Sequence, residues 1–117
     1  MIFSQYSCSP HESIRIAKAL VDTGNEYTWI PDFKLEKIGV KREKKDICFA
    51  MTNGKVIIRN IGFAIIREGK DFTIDEVVFA EPGDNMVLLG ARTLAGLNLI
   101  VNSAQKKLVV AGSLPVA

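Results

Sequence analysis

Histidine and cysteine are nearly missing from this 117-residue chain: His11 stands alone, and Cys8 and Cys48 are the only thiols. A single histidine excludes a multi-histidine zinc site and makes a Ser-His-Asp or Cys-His catalytic group hard to assemble. Two cysteines without a CxxC spacing exclude a disulfide framework and a cysteine-rich metal site, so both are read as reduced, partly buried thiols. His11, beside Pro10, is expected in a surface loop. An excess of one charge is also missing. Fifteen Lys and Arg against 13 Asp and Glu leave a net charge of +2, which gives no electrostatic footprint for nucleic acid or a membrane surface. No apolar run approaches the roughly 18 residues of a bilayer span. Met1 to Pro10 has neither the basic start nor the apolar block of a signal peptide. The expectation is a cytoplasmic chain with no nucleic-acid and no membrane partner.

What is present suits one folded domain over residues 1–117, since hydrophobic residues make up 48% and charged residues 24%. Ser13 to Val21 begins with alternating apolar residues and ends in a continuous apolar run, which predicts a strand stopped by Asp22-Thr23-Gly24. Tyr27 to Ile30 is a second strand, closed by Pro31, and Asp32 is placed to cap a short helix from Phe33 to Ile38 with Gly39 as its stop. The basic residues Lys34, Lys37, Lys41, Arg42, Lys44 and Lys45 alternate with Glu36, Glu43 and Asp46, as in a solvated helix face and loop. Ile47–Met51 and Val56–Ile66 flank Thr52-Asn53-Gly54-Lys55. Asn-Gly between two β runs predicts a hairpin with a type I′ turn. Gly69 is another turn, Phe72–Ala80 another strand, and the cluster Glu81-Pro82-Gly83-Asp84 a third turn. Met86–Leu89 stops at Gly90 before a helical turn or two over 91–95, and Leu97–Val101 and Lys107–Val110 are the last strands. Seven or eight short strands with at most two short helices predict an all-β sandwich or barrel.

The residue that most needs a chemical explanation is Asp22, a carboxylate directly after Ala19-Leu20-Val21. A charged group at the buried end of a strand is costly unless neighbours hydrogen-bond it. Thr23 offers a hydroxyl, and Gly24 a backbone that turns sharply and presents its N–H. Asp-Thr-Gly is therefore a candidate carboxylate cradle, with a plain turn as the alternative.

The context of that tripeptide resembles the retropepsin-like aspartic proteases, in their prokaryotic branch. The resemblance rests on four features in order: Ala19-Leu20-Val21-Asp22-Thr23-Gly24, the short strand ending at Pro31, a flap-like hairpin over 49–56, and Val87-Leu88-Leu89-Gly90 before a helix at 91–94. It covers roughly Ser13 to Val110. It implies a closed, barrel-like acid protease fold with one or two short helices and a flap. Asp22 would be the catalytic residue, supported by Thr23, Gly24 and Asn25, with Thr52, Asn53, Gly54 and Lys55 forming the flap. Apolar lining of a substrate pocket would come from Ile30, Met51, Val56 and Leu88. Two positions depart from the family pattern: Asn25 where Ala or Ser is usual, and Asn102 where close relatives often carry Asp.

Hydrolysis between carboxylates needs two of them, one ionised to take a proton from water and one protonated to polarise the carbonyl. The chain carries one Asp-Thr-Gly and no second copy. The resemblance therefore implies a homodimer that acts on an extended peptide or unfolded protein, with no metal and no cofactor. The alternative is a catalytically silent module of the same fold that binds peptides or dimerises, with the larger Asn25 crowding the catalytic floor.

Overall fold

The two longest strand runs build the spine of the sheet. In the computed structural model, which describes residues 1–5, 12–102 and 107–110, β6 (Val56–Glu68) and β7 (Asp71–Ala80) pair antiparallel from Ile61↔Val78 to Glu68↔Asp71. Gly69 makes their tight turn with φ of +58°, a backbone state that glycine adopts without steric cost. At 13 residues, β6 is long enough to pair with β5 (Lys44–Ala50) along its first half and with β1 (Ile2–Gln5) along its second. β2 (Ser13–Arg15) adds to β1. On the other side, β4 (Thr28–Pro31) lies parallel to β7, and β8 (Leu88–Gly90) and β3 (Leu20–Asp22) follow. The strand order is β2-β1-β6-β7-β4-β8-β3, with β5 branching from β6. A separate ribbon joins β9 (Leu99–Asn102) to β10 (Lys107–Val110). The α-helices among the described residues are short, α1 (Asp32–Lys37) and α2 (Ala91–Gly96), and a single 3-10 turn spans Pro82–Asp84.

The molecule is all-β, and its sheet is a curled half-barrel. The expectation of a closed barrel is corrected, because among the described residues β2 and β3 are the two edges of the sheet and do not pair with each other. The cause is a break in the strand expected over 13–21. Residues 16–19 leave the ladder, with Ile16 N donating to Met1 O at 2.8 Å on one edge and Leu20 N to Val87 O at 2.9 Å on the other. The two edges are joined by four residues of chain, which holds them within about 18 Å. Covalent chain, and not a hydrogen-bond ladder, bridges the opening.

Strand alternation sorts the apolar residues into two clusters on opposite faces. Ile30, Val77, Phe79 and Leu89 join Phe3, Leu35, Ala64, Ile66 and Leu97 in the larger cluster, while their neighbours Trp29, Val78, Ala80 and Leu88 join Ile61 in the smaller. Two local expectations change. Asp32 is the first residue of α1, with Pro31 at the cap position, and its Oδ1 accepts from Phe33 N at 2.7 Å. Gly39 ends the turn with φ of +82°. The hairpin turn is not type I′: Gly54 has positive φ but Asn53 does not. Gly54 N donates to Met51 O at 3.0 Å and Met51 N to Lys55 O at 2.7 Å, giving a three-residue loop with Gly54 in the left-handed position. The Asn53 side chain closes the loop by accepting from Lys55 N at 3.0 Å.

Candidate functional site

Asp22 is placed by a parallel pairing of two short strands, Leu20↔Leu88, Val21↔Leu89 and Asp22↔Gly90. Beyond it the chain folds back on itself. Gly24 N donates to Asp22 Oδ1 at 3.0 Å, Asn25 N to Asp22 O at 3.2 Å, and Tyr27 N to Asn25 Oδ1 at 3.1 Å. The first N–H groups of α2, which have no partner inside the helix, secure the loop: Ala91 N donates to Asn25 O at 2.7 Å and Arg92 N to Glu26 O at 3.2 Å. Gly90 lets the two segments meet, because a Cβ there would lie 2.4 Å from Tyr27 O. Of the cradle expected around Asp22, the Gly24 N–H is in place. The carboxylate is half-buried and takes one backbone donor. Thr23 does not contribute a bond to it; its side chain is exposed and lines a different groove.

Beneath the loop runs a buried relay whose direction follows from its end. Thr93 Oγ1 donates to Asp75 Oδ2 at 3.0 Å, so at the 2.6 Å contact between the two threonines Thr28 Oγ1 must donate to Thr93, leaving Thr28 to accept from Gly90 N at 3.0 Å. Asp75 faces Arg92 Nη2 at 3.7 Å, and Arg92 Nη1 donates to Glu76 Oε2 at 2.8 Å. Lys44 Nζ takes the other Glu76 oxygen, Oε1. Glu76 is consequently held below its ordinary value of 4.5, first by the Lys44 hydrogen bond and then by Arg92, against the opposing effect of burial. The Arg92 guanidinium also lies 5.5 Å from the centre of the Tyr27 ring. This network connects the base of the hairpin, through Lys44, to the loop that carries Asp22.

Above Asp22 lies a cleft of about 370 Å³. Its floor is Asp22, Gly24, Asn25 and Glu26, and its walls are Trp29, Met86, Leu88 and the hairpin residues Phe49, Ala50, Met51 and Thr52. Trp29 packs edge-on to Phe49 with centroids 5.0 Å apart, and Phe49 edge-on to Tyr27 at 5.5 Å, so aromatic contacts join hairpin and loop strand. Met86 is positioned by the preceding turn, where Arg59 grips Asp84 through Nε at 2.8 Å and Nη2 at 2.5 Å. That guanidinium holds the Asp84 carboxyl below its usual range.

Of the expected site residues, Asp22, Gly24, Asn25, Met51, Thr52 and Leu88 converge on this cleft. Two pocket assignments are corrected. Ile30 is 0% exposed in the larger core cluster, because it points to the opposite face of β4 from Trp29. Val56 is 65% exposed and does not line the cleft. Asn53, Gly54 and Lys55 form the exposed hairpin tip, beyond the lining residues. Glu26, Trp29 and Met86 stand outside the expected site residues, and Phe49 and Ala50 are expected only as part of the hairpin over 49–56; alternation along Phe49–Met51 and the aromatic run at Tyr27–Trp29 are the available signals. Cys48 is exposed where partial burial was expected, since it falls on the outward side of β5. Cys8, His11 and the tail beyond 110 lie outside the described residues.

A second groove, of about 670 Å³, lies against α2 and β9 and is lined by Val21, Thr23, Leu94, Leu99, Ile100 and Val101 among others. Among the described residues no three His, Cys, Asp or Glu side chains gather as metal ligands, and no helix there is long and apolar enough to cross a membrane. The chain matches no protein-family model, no curated protein and no solved structure.

Proposed function

We propose that the chain is a retropepsin-like aspartic endopeptidase that hydrolyses peptide bonds between the Asp22 carboxylates of a homodimer. The observation that carries this reading is the joining, in one cleft, of an Asp-Thr-Gly loop locked by residues 90–92 with the inner side of a hairpin. A loop with this many backbone ties holds its carboxylate in one place, as general acid-base chemistry requires. In the dimer the two Asp22 groups share one proton, because neighbouring like charges oppose double ionisation, and the pair titrates as a unit. The ionised member takes a proton from water while the protonated member donates to the substrate carbonyl, and the roles reverse as the amine departs. The hairpin residues Ala50 and Thr52, on either side of Met51, offer main-chain groups to an extended peptide, while Met51, Met86 and Leu88 offer apolar contact.

The groove beside Thr23 supports the second subunit. Ile100 and Val101 are exposed there, next to the loop that would meet its mate across a twofold axis. Asn25 bears on the silent alternative. Its side chain accepts the Tyr27 N–H within its own loop, which gives it a structural task and favours the enzyme reading. The experiment is cleavage of an unfolded polypeptide by wild type and by Asp22→Asn over a range of protein concentrations. A loss of at least about a hundredfold in the variant, with wild-type rate per subunit rising with concentration, is expected. An asparagine Oδ1 can still accept from Gly24 N, so the fold is expected to survive the substitution. Cleavage that persists in the variant, or a dimeric wild type without activity, contradicts the proposal.

A further inference from the structure

We propose that the cleft selects extended peptides that carry a lysine or arginine beside a large apolar residue, with Glu26 receiving the cation; this rests on the peptide-cleft reading above. The chain as a whole is slightly basic at +2, yet the charged residues lining the cleft are two carboxylates, Asp22 and Glu26, and no lysine or arginine lines it. The cations of the network beneath the loop and of the turn before Met86 have other partners. Arg92 binds Glu76 and faces Asp75, Lys44 binds Glu76, and Arg59 binds Asp84. Among the described residues the exposed Glu26 side chain has no ion pair and no hydrogen bond, while its backbone carbonyl is fixed by Arg92 N. It is an exposed carboxylate on a fixed stretch of backbone beside the cavity, open to a cation from outside.

Asp22 is the wrong receiver for that cation. A cation beside it would hold it ionised and prevent the proton sharing that the reaction needs. The remaining walls suit an apolar neighbour: Met51 and Met86 are adaptable thioethers set against Leu88 and Phe49. A second, independent feature points to a ligand. Trp29 is 1% exposed and lines the cleft, and its Nε1 is a buried donor without a partner among the described residues. Buried donors are nearly always paired, and a peptide carbonyl is an acceptor of the right kind.

Trp29 is the only tryptophan in the chain, so its fluorescence reports occupancy of the cleft. The test uses Asp22→Asn protein and three tryptophan-free octapeptides that are identical except for Arg, Gln or Glu beside a central leucine. The Arg peptide is expected to bind about tenfold tighter than the Glu peptide at low salt, with Gln between them. In Asp22→Asn/Glu26→Gln the Arg-to-Glu ratio is expected to fall below about threefold. Equal binding of the three peptides, a ratio unchanged by Glu26→Gln, or no binding at all overturns the proposal. Binding needs no catalysis, which separates the two claims. Selective binding by a protein whose wild type never cleaves would sink the endopeptidase reading alone, whereas cleavage without basic preference would sink this one alone.

Discussion

The two faces of β4, β7 and β8 are built from adjacent residues and do different work. Ile30, Val77, Phe79 and Leu89 point into a closed cluster, whereas Trp29 and Leu88 point into a cluster whose open side is the Asp22 cleft. Both faces are apolar, so hydrophobicity does not distinguish them. What differs is the cover. The larger cluster is sealed by α1 residues such as Leu35 and by Phe3 of β1, while the smaller is covered by the hairpin residues Phe49 and Ile57, which belong to a two-stranded projection. Such a cover has fewer neighbours to hold it.

Substitutions on the two faces should therefore separate stability from recognition. Ile30→Ala is expected to lower stability by about 2–5 kcal/mol through loss of buried methyl groups and the cavity left behind. Peptide selectivity should be unchanged in whatever fraction stays folded. Denaturant titration with cleavage profiling checks both, and a selectivity change would blur the distinction between the faces. Thr93→Val removes the donor to buried Asp75 and leaves Thr28 Oγ1 without its acceptor, at an expected cost of about 1–3 kcal/mol by the same titration. An unaltered midpoint would show that the relay beneath the loop does not hold it.

The acid limb of stability should report the network at Glu76. Its folded carboxyl is depressed below 4.5, and that of Asp84 below 3.8. A depressed carboxyl contributes stability that is present above its unfolded value and is lost as pH falls through the folded one. The thermal midpoint of the wild type should thus fall as pH drops below about 4.5. Glu76→Gln should be less stable near neutrality and show a shallower acid limb, and an identical limb would remove Glu76 from the account. The smallest stability effect, under about 1 kcal/mol, is expected for the half-buried Met86→Ala, yet this change on the cleft face should alter cleavage preference.

These contrasts also explain which features were readable beforehand. Asp22-Thr23-Gly24, the Asn53-Gly54 hairpin and Leu88-Leu89-Gly90 before a helix are marked by local turn chemistry, and each lies at the predicted place in the chain, although the hairpin closes through a three-residue loop and not the type I′ turn. The choice between Trp29 and Ile30 was not readable, because a continuous apolar run lacks the alternation that assigns a face, and a shift of one residue exchanges them. Val56 failed for a related reason: it starts β6 at the exposed end of the hairpin, where a β-branched residue suits the strand without being buried. The break at 16–19 was hidden too. Its residues continue an apolar pattern, and only pairing of Ile16 with Met1 and of Leu20 with Val87 splits them between two edges. Glu26 reads as one more loop carboxylate until the cleft beside it is known.

The central claim, that two copies of Asp22 make one site, is tested most directly by subunit mixing. Wild-type protein is combined with increasing proportions of Asp22→Asn protein at constant total concentration, and peptide cleavage is measured after exchange. If each site needs Asp22 from both subunits, activity falls as the square of the wild-type fraction, to about one quarter in an equal mixture. A linear fall to about one half would mean that each chain acts alone and would contradict the account.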